Sequence, residues 1–265
     1  MKPHKAYAKV NIFLKITGQR AGYHEILSRF VCINNLFDTL RFVPKNSNNF
    51  SILGDFNCAT EQNTIYKAYL ALMNATQSEA LKELMEGYAI EVDKKIPSFA
   101  GLGGGSSDAA TYLLMCNQTL ELGLNKDALA KIGAEVGADV PFFIYGYQSA
   151  NVSGVGEIVT CFDEPALNIE TITPSIEIST PKVYQEFREQ FYKELSTKEA
   201  TRLSQLSSVD VLQEMQPTEA NDLFQPALKL YPELENQQPK DWFFSGSGSS
   251  FFRIKLPTTS TKLQI

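Results

Sequence analysis

The sequence predicts an α+β fold in which two domains meet near residue 150. Segments of alternating apolar and polar residues, typical of strands, are mixed with segments whose apolar residues recur at helical spacing. These segments do not follow the regular strand–helix–strand order of a doubly wound parallel sheet. A new series of strand and helix patterns begins near residue 150. We therefore expect domains at 1–150 and 151–265, with a last strand that can return to the first domain.

The first half of the chain opens on a strand pattern at 6–16, where alternate positions are apolar. A polar loop that contains glycine is expected next, at 18–25. The patterns that follow predict two short strands within 27–43, a helix at 63–75 and a strand at 88–92.

A glycine-rich loop follows the strand at 88–92, and the patterns beyond it alternate between helix and strand. A helix is expected from Ser106, and another over 125–137, between Asn125 and Gly137. Strands are predicted within 138–146, 148–162 and 170–180, helices at 182–195, 201–215 and 223–235, and a strand–turn–strand at 242–256.

The composition limits the classes of function. The chain has 265 residues, 43% of them hydrophobic, and no apolar run of membrane-spanning length. The first 20 residues lack the apolar core of a signal peptide, so we expect a cytoplasmic protein. A net charge of −6 argues against nucleic acid as the main partner, and we expect no membrane partner. Monomer and weak homodimer are both open.

The cysteines and histidines do not suggest a structural metal site. Four cysteines lie far apart, without a C-x-x-C pair, and the chain has only two histidines. We expect free, buried thiols.

The segment "PSFAGLGGGSSDAA", residues 97–110, combines a glycine-rich turn with the start of a helix. It lacks the lysine of the common nucleotide-binding P-loop, and Ser106 stands where G-x-G-x-x-G requires its third glycine. Glycines let consecutive N–H groups point at a ligand, and the helix N-terminus adds further unpaired donors. The alternative is a structural turn before a capped helix. The entropic cost of so many glycines favours an anion-binding loop.

Four segments together resemble the GHMP kinases, a family of small-molecule kinases. The loop at 97–110 is similar to the family's second motif, and 244–252 ("FSGSGSSFF") to its third. Residues 6–26 and 137–146 ("GADVPFFIYG") resemble the branch that acts on a cytidine-diphosphate-linked methylerythritol, although Ala21 departs from its usual residue. The matches occur in the family's order and span almost the whole chain.

The resemblance implies a two-domain GHMP kinase fold. Its N-terminal domain would be ribosomal-protein-S5-like and bind ATP, and its C-terminal domain would be ferredoxin-like and bind the small-molecule substrate. The implied reaction transfers the γ-phosphoryl of ATP, with Mg²⁺, to the 2-hydroxyl of the methylerythritol unit in the non-mevalonate isoprenoid pathway. Two alternatives remain: a GHMP kinase for mevalonate or homoserine, and a GHMP-like protein that binds without catalysis.

The resemblance also implies roles for individual residues. Asp139 would be the catalytic base and Lys9 its catalytic cation, although an aspartate before proline is usually a turn residue and a strand lysine usually faces solvent. The substrate would be bound by Asn11, Tyr23, His24, Thr180 and Tyr184. For Tyr184 the alternative is a position in a helix core, and for His24 a solvated loop.

The ATP site implied by the resemblance is built around the glycine loop. Asn63 is also explained as a helix cap, and the turn at 245–250 as an ordinary hairpin. The expected ATP-binding residues are Asn63, Lys94, Pro97, Ser98, Phe99, Ala100, Gly101, Leu102, Gly103, Gly104, Gly105, Ser106 and Ser107. The metal ligands are not predicted.

Overall fold

The computed structural model describes residues 1–20 and 22–255. Ala21, where the first motif departs from the family pattern, and the end of the predicted last strand and second domain lie outside the described residues. The strands are β1 (His4–Arg20), β2 (Tyr23–Pro44), β3 (Ile52–Leu53), β4 (Tyr88–Asp93), β5 (Ser149–Gly154), β6 (Ile158–Cys161), β7 (Ile169–Ile172), β8 (Phe243–Phe244) and β9 (Phe251–Ile254). The helices are α1 (Thr64–Thr76), α2 (Glu79–Gly87), α3 (Gly104–Thr119), α4 (Lys126–Val136), α5 (Val140–Tyr145), α6 (Thr180–Glu186), α7 (Thr197–Gln205), α8 (Ser208–Glu214), α9 (Pro217–Ala220) and α10 (Phe224–Leu230).

A long hairpin of β1 and β2 forms the centre of a six-stranded sheet. β2 pairs with β1 and also with β4 and β5, and the path through the sheet is β3-β4-β2-β5-β6. The predicted loop at 18–25 was wrong, because the ladder continues to the pair Arg20 and Tyr23. The two short strands predicted within 27–43 are parts of the single strand β2. The polar side chains of 18–25 suggested a loop, but the backbone of this segment pairs across the hairpin and forms strand structure.

The segment 138–146 was wrongly predicted as a strand; it contains the helix α5. Pro141 stands in its first turn, and Gly146 ends it with a φ of 70°. Val140, Phe142 and Ile144 are all buried. The alternating apolar residues of this segment therefore belong to a helix that is buried on most sides, and not to one face of a β-strand. The predicted helices at 63–75 and 125–137 are confirmed as α1 and α4, whereas α2 was not predicted.

The second half of the chain contains a three-stranded sheet in the order β7-β9-β8. The strand–turn–strand near the C-terminus is confirmed as β8 and β9. The three long helices predicted after residue 180 are shorter. A π-helical turn, Phe187–Phe191, follows α6; residues 201–215 divide into α7 and α8; and α10 ends before a 3-10 turn. The strand predicted at 170–180 is limited to β7.

Residues from both halves of the chain share one hydrophobic cluster. Phe30 of β2 packs in the same cluster as Val183, Phe224 and Phe244. The buried guanidinium of Arg29 makes a separate connection between the two halves, donating to Asn151 Oδ1 at 2.7 Å and to backbone carbonyls of α7 and the residue after it. The α+β class is confirmed. The domain boundary at residue 150, which falls within β5, stays a prediction.

The cysteines are free, but only two are buried. Cys32 and Cys116 are buried, whereas Cys58 and Cys161 are exposed, so the expectation of four buried thiols was wrong. In the described part of the chain, the helices are too short or too polar to cross a membrane.

Candidate active site

The glycine-rich loop lies between β4 and α3 and is bonded to β1. The N–H of Lys9 donates to the carbonyl of Leu102 at 2.9 Å. Gly101 and Gly103 have φ values of 72° and 71°, in the left-handed region that favours glycine. A Cβ added to Gly103 would lie 3.1 Å from Lys9 Cγ and 2.9 Å from Phe143 Cζ. The loop therefore passes β1 at a distance that leaves no room for a side chain.

A second glycine turn, residues 245–250, packs directly on the first loop. The N–H of Ser250 donates to the carbonyl of Ala100 at 3.1 Å, and Ser245 Oγ donates to the carbonyl of Gly101 at 3.0 Å. Asn221 is buried behind this turn and donates to the carbonyl of Gly246 at 2.8 Å. The segment predicted as a glycine turn is thus part of the same structure as the loop at 97–105.

Two pockets lie on either side of the glycine loop and share three of its residues, Phe99, Gly101 and Gly103. The first, called here the Lys9 pocket, has a volume of about 580 Å³. It contains every predicted catalytic and substrate-binding residue: Lys9, Asn11, Tyr23, His24, Asp139, Thr180 and Tyr184. The second, the Lys94 pocket, has a volume of about 450 Å³.

Lys9 and Asp139 form an ion pair at the base of the Lys9 pocket. Lys9 is 3% exposed, and its Nζ lies 3.2 Å from Asp139 Oδ2. The same Nζ donates to Asn11 Oδ1 at 2.7 Å, and Asn11 Nδ2 donates to Ser28 Oγ at 3.0 Å. The solvent-facing alternative for Lys9 is therefore wrong. Asp139 is partly exposed at the pocket surface and directly precedes α5.

Aromatic side chains also line the Lys9 pocket. The rings of His24 and Tyr184 lie 5.0 Å apart at an angle of 33°, and both residues are half-buried. His24 lies on β2 rather than in a loop, and Tyr23 is exposed beside it. Burial raises the pKa of the Tyr184 hydroxyl. Thr180 Oγ1 lies 2.6 Å from Ser247 Oγ of the second glycine turn.

The Lys94 pocket contains nearly all of the predicted ATP-binding residues. Ser107 is the exception, because it is buried within α3 and does not line the pocket. Asn63 lines the pocket and is also the cap of α1, accepting from Ile65 N at 2.9 Å. The pocket also includes residues that the sequence analysis missed: Phe56, Asn57, Cys58, Gln62, Thr64, Ile96 and Asp108.

A buried ion cluster holds both ends of the glycine loop. Lys94 Nζ bonds to Asp38 of β2 and, at 2.7 Å, to Asp108 Oδ2 of α3. Asp38 Oδ1 also accepts from Ile96 N at 2.8 Å. The cluster therefore bonds the entry of the loop, at Lys94 and Ile96, to β2 and to α3 at the loop's exit. We missed Asp38 in the sequence, where a lone aspartate in a strand gives no signal.

The cluster shifts the ionisation of its members. Burial raises the pKa of the Asp108 carboxyl to about 7 despite the opposing charge of Lys94. Burial alone would lower the pKa of Lys94, but the two carboxylates outweigh it and raise that pKa. Asp108 Oδ1 has no hydrogen-bond partner among the described residues.

Comparison with known proteins shows which family this chain belongs to. The family described as GHMP kinases N terminal domain matches residues 63–147, which include the glycine loop. The 4-diphosphocytidyl-2-C-methyl-D-erythritol kinase of Sulfurimonas denitrificans is 58% identical over 96% of this chain and 97% of its own. The Campylobacter jejuni kinase of the same name is 44% identical over 94% of this chain and 99% of its own. The chain belongs to the 4-diphosphocytidyl-2-C-methyl-D-erythritol kinase family.

Solved structures agree with this family and its fold. A crystal structure of 4-(cytidine 5′-diphospho)-2C-methyl-D-erythritol kinase is 30% identical, has a TM-score of 0.71 and covers 95% of this chain and 89% of its own. The mevalonate kinase of Methanococcus jannaschii is 14% identical, with a TM-score of 0.57, and covers 96% of this chain and 90% of its own. The latter similarity concerns the fold alone, and the GHMP kinase fold is confirmed.

Replacement of Gly101 by alanine tests the contact between the two glycine turns. An added Cβ would overlap the carbonyl oxygen of Ser245 and lie 3.0 Å from its carbon. We expect Gly101→Ala to lower the free energy of unfolding by about 2–4 kcal/mol, from overpacking plus backbone strain. Gly123→Ala is the control, since Gly123 has a φ of 69° and open space around its Cβ position. It should cost about 1 kcal/mol. Equal losses in urea unfolding would contradict the contact.

The raised pKa of Asp108 predicts a pH dependence of stability. Below about 3.9, the usual aspartate pKa, the carboxyl is protonated in both the folded and the unfolded chain. Between that value and about 7 only the folded chain holds the proton, so stability from this group falls as the pH rises. Urea unfolding between pH 5 and 7 should show wild-type stability falling by about 1 kcal/mol per pH unit more than that of Asp108→Asn. Parallel pH profiles would contradict the buried, protonated carboxyl.

Proposed function

We propose that this protein transfers the γ-phosphoryl group of ATP to the 2-hydroxyl of 4-diphosphocytidyl-2-C-methyl-D-erythritol. The products are ADP and the 2-phosphate, an isoprenoid precursor of the non-mevalonate pathway. The observation that carries the proposal is the Lys9–Asp139 ion pair. It lines one of two pockets that share residues of the glycine loop. The family supports the reaction, since the relatives are named as kinases of this compound.

ATP is the donor and occupies the Lys94 pocket in this proposal. The glycine loop faces that pocket from Pro97 to Ser106, and α3 begins at Gly104 without a side-chain cap. Its first N–H groups are therefore available to phosphate oxygens. The ammonium of Lys94 is already bonded to Asp38 and Asp108, so backbone donors do most of the phosphate binding. Asn63 and Lys94 stay predicted ATP contacts.

The oxygen groups of the Lys94 pocket fit a magnesium ion bound together with ATP. The Ser106 hydroxyl and the Asp108 carboxyl group line this pocket, and both carry oxygen atoms of the kind that Mg²⁺ takes as ligands. Mg²⁺ is usually held by one or two protein groups and the phosphates, and we propose the Ser106 hydroxyl as the protein ligand. When bound, the ion would neutralise charge on the phosphate groups.

Asp139 acts as the base that takes the proton of the acceptor hydroxyl. Its carboxylate is partly exposed in the Lys9 pocket, whereas Lys9 beside it is buried. Lys9 orients the carboxylate through the 3.2 Å contact and places a positive charge near the transferred group. Asn11, bonded to Lys9 Nζ at 2.7 Å, is placed to contact the acceptor hydroxyl. The proton moves to Asp139 as the new P–O bond forms and the bond to ADP breaks.

The cytidine of the acceptor binds among the aromatic residues of the Lys9 pocket. Tyr184 and Tyr23 offer ring faces for stacking, each stabilising by about 1 kcal/mol. His24 offers a ring nitrogen, Nε2, that has no hydrogen-bond partner among the described residues and can bond to the base edge. Thr180 contributes a hydroxyl at the same pocket. A cytoplasmic location and a monomer or weak homodimer stay predictions.

The proposed reaction is tested by offering the purified protein ATP, Mg²⁺ and one of three acceptors. Phosphorus NMR should show ADP and a new phosphate monoester only with 4-diphosphocytidyl-2-C-methyl-D-erythritol, and EDTA should abolish it. Turnover of mevalonate or homoserine alone would contradict the proposal. Binding of the cytidine compound without any turnover would favour the non-catalytic alternative.

Replacement of Asp139 by asparagine tests the base. We expect Asp139→Asn to lower kcat by about 100-fold or more, because it removes a general base, while ATP binding is retained. Asp127→Asn is the matched control, since Asp127 lies on α4 outside both pockets and bonds to Tyr145. It should keep wild-type turnover. Full activity of the Asp139 variant would exclude this residue as the base.

A further inference from the structure

Among the described residues, the charged groups of the Lys9 pocket include one cation that forms no ion pair. The positive charge of Lys9 is balanced by Asp139 at 3.2 Å. Arg188 also lines this pocket, and it forms no ion pair with any residue in the described part of the chain. Burial and the nearby charge of Arg188 lower the pKa of His24, which favours its neutral imidazole. The pocket thus has an excess positive charge on a chain whose net charge is −6.

Local packing holds the backbone of Arg188 at the aromatic side of the pocket. Arg188 lies in the π-helical turn Phe187–Phe191 that follows α6, a kind of turn that is frequent at functional sites. Phe187 is 2% exposed, and its ring lies 6.5 Å from that of His24. Phe191 packs against the same core. The residue between these anchors is therefore placed beside His24 and Tyr184.

The proposed acceptor has negative charges that this pocket must accommodate. Its diphosphate joins the cytidine to the methylerythritol unit, so it must lie between the His24–Tyr184 rings and the Lys9–Asp139 pair. Lys9 is committed to Asp139 and Asn11. A guanidinium presents several N–H donors in a planar fork that matches phosphate oxygens.

We propose that Arg188 binds the diphosphate of the acceptor and selects nucleoside-diphosphate-linked alcohols over uncharged ones. This inference rests on the proposed function, because it assumes that the nucleoside lies against His24 and Tyr184. Arg188 contacts the substrate away from the reacting hydroxyl. Its loss therefore weakens acceptor binding without changing the chemistry at Asp139.

The test compares the binding of CDP and of cytidine by isothermal titration calorimetry. The two probes share a base and differ in the diphosphate, so their ratio of dissociation constants isolates its contribution. Arg188→Met should weaken CDP binding by about 10- to 100-fold and leave cytidine binding unchanged. Arg188→Lys should retain part of the preference for CDP. Lys182→Met is the matched control, since Lys182 is an exposed cation of α6 that does not line the pocket, and it should behave as wild type.

Each other result has a definite meaning. CDP binding of Arg188→Met within twofold of wild type would overturn the inference. Equal weakening of CDP and cytidine would also overturn it, since Arg188 would then support the shape of the pocket. Wild-type protein that binds neither probe would contradict both the proposed acceptor and this role. Steady-state kinetics separate the two proposals further: Arg188→Met should raise KM for the acceptor and leave kcat and KM for ATP near wild-type values.

Discussion

Lys9 connects the strand β1, the glycine loop and Asp139 through its own backbone and side chain. Its N–H holds Leu102 at 2.9 Å, its Cγ lies where Gly103 leaves space, and its Nζ contacts Asn11 and Asp139. A buried ammonium is stable only when it is paired and hydrogen-bonded. The position of the lysine therefore requires the loop, Asn11 and the start of α5 to be together, and the rest of the site is arranged around this requirement.

The glycine loop is held from several directions, although glycines give it a flexible backbone. Asp38, Lys94 and Asp108 bond its two ends, and Ser245 and Ser250 bond its middle from the C-terminal half of the chain. The entropic cost of ordering glycines is offset by these bonds. A loop ordered in this way keeps its N–H groups directed at a ligand before the ligand arrives, which lowers the cost of binding.

The two pockets differ in how they supply positive charge on an acidic protein. In the Lys94 pocket, the lysine is bonded to Asp38 and Asp108, and the donors left for a ligand are backbone N–H groups at the start of α3. In the Lys9 pocket, Arg188 provides a side-chain charge that the described residues do not balance. The Lys94 pocket therefore suits a phosphoryl donor whose phosphates bind to backbone N–H groups. The Lys9 pocket suits an acceptor whose negative charge lies away from the reacting hydroxyl.

Local sequence was sufficient to predict the glycine loop, the caps and positions of α1 and α4, and the C-terminal strand–turn–strand. These features depend on glycine spacing and capping residues, which act over a few positions along the chain. The segments that resemble the family contain both Lys9 and Asp139. The sequence did not predict α5 as a helix or the continuous β1–β2 hairpin, since packing on several sides and backbone pairing decide those elements. Asp38, Asn221 and Arg188 also escaped prediction. Only the tertiary structure brings Asp38 to Lys94, Asn221 to Gly246 and Arg188 to His24, because these partners lie 25 to 164 residues apart along the chain.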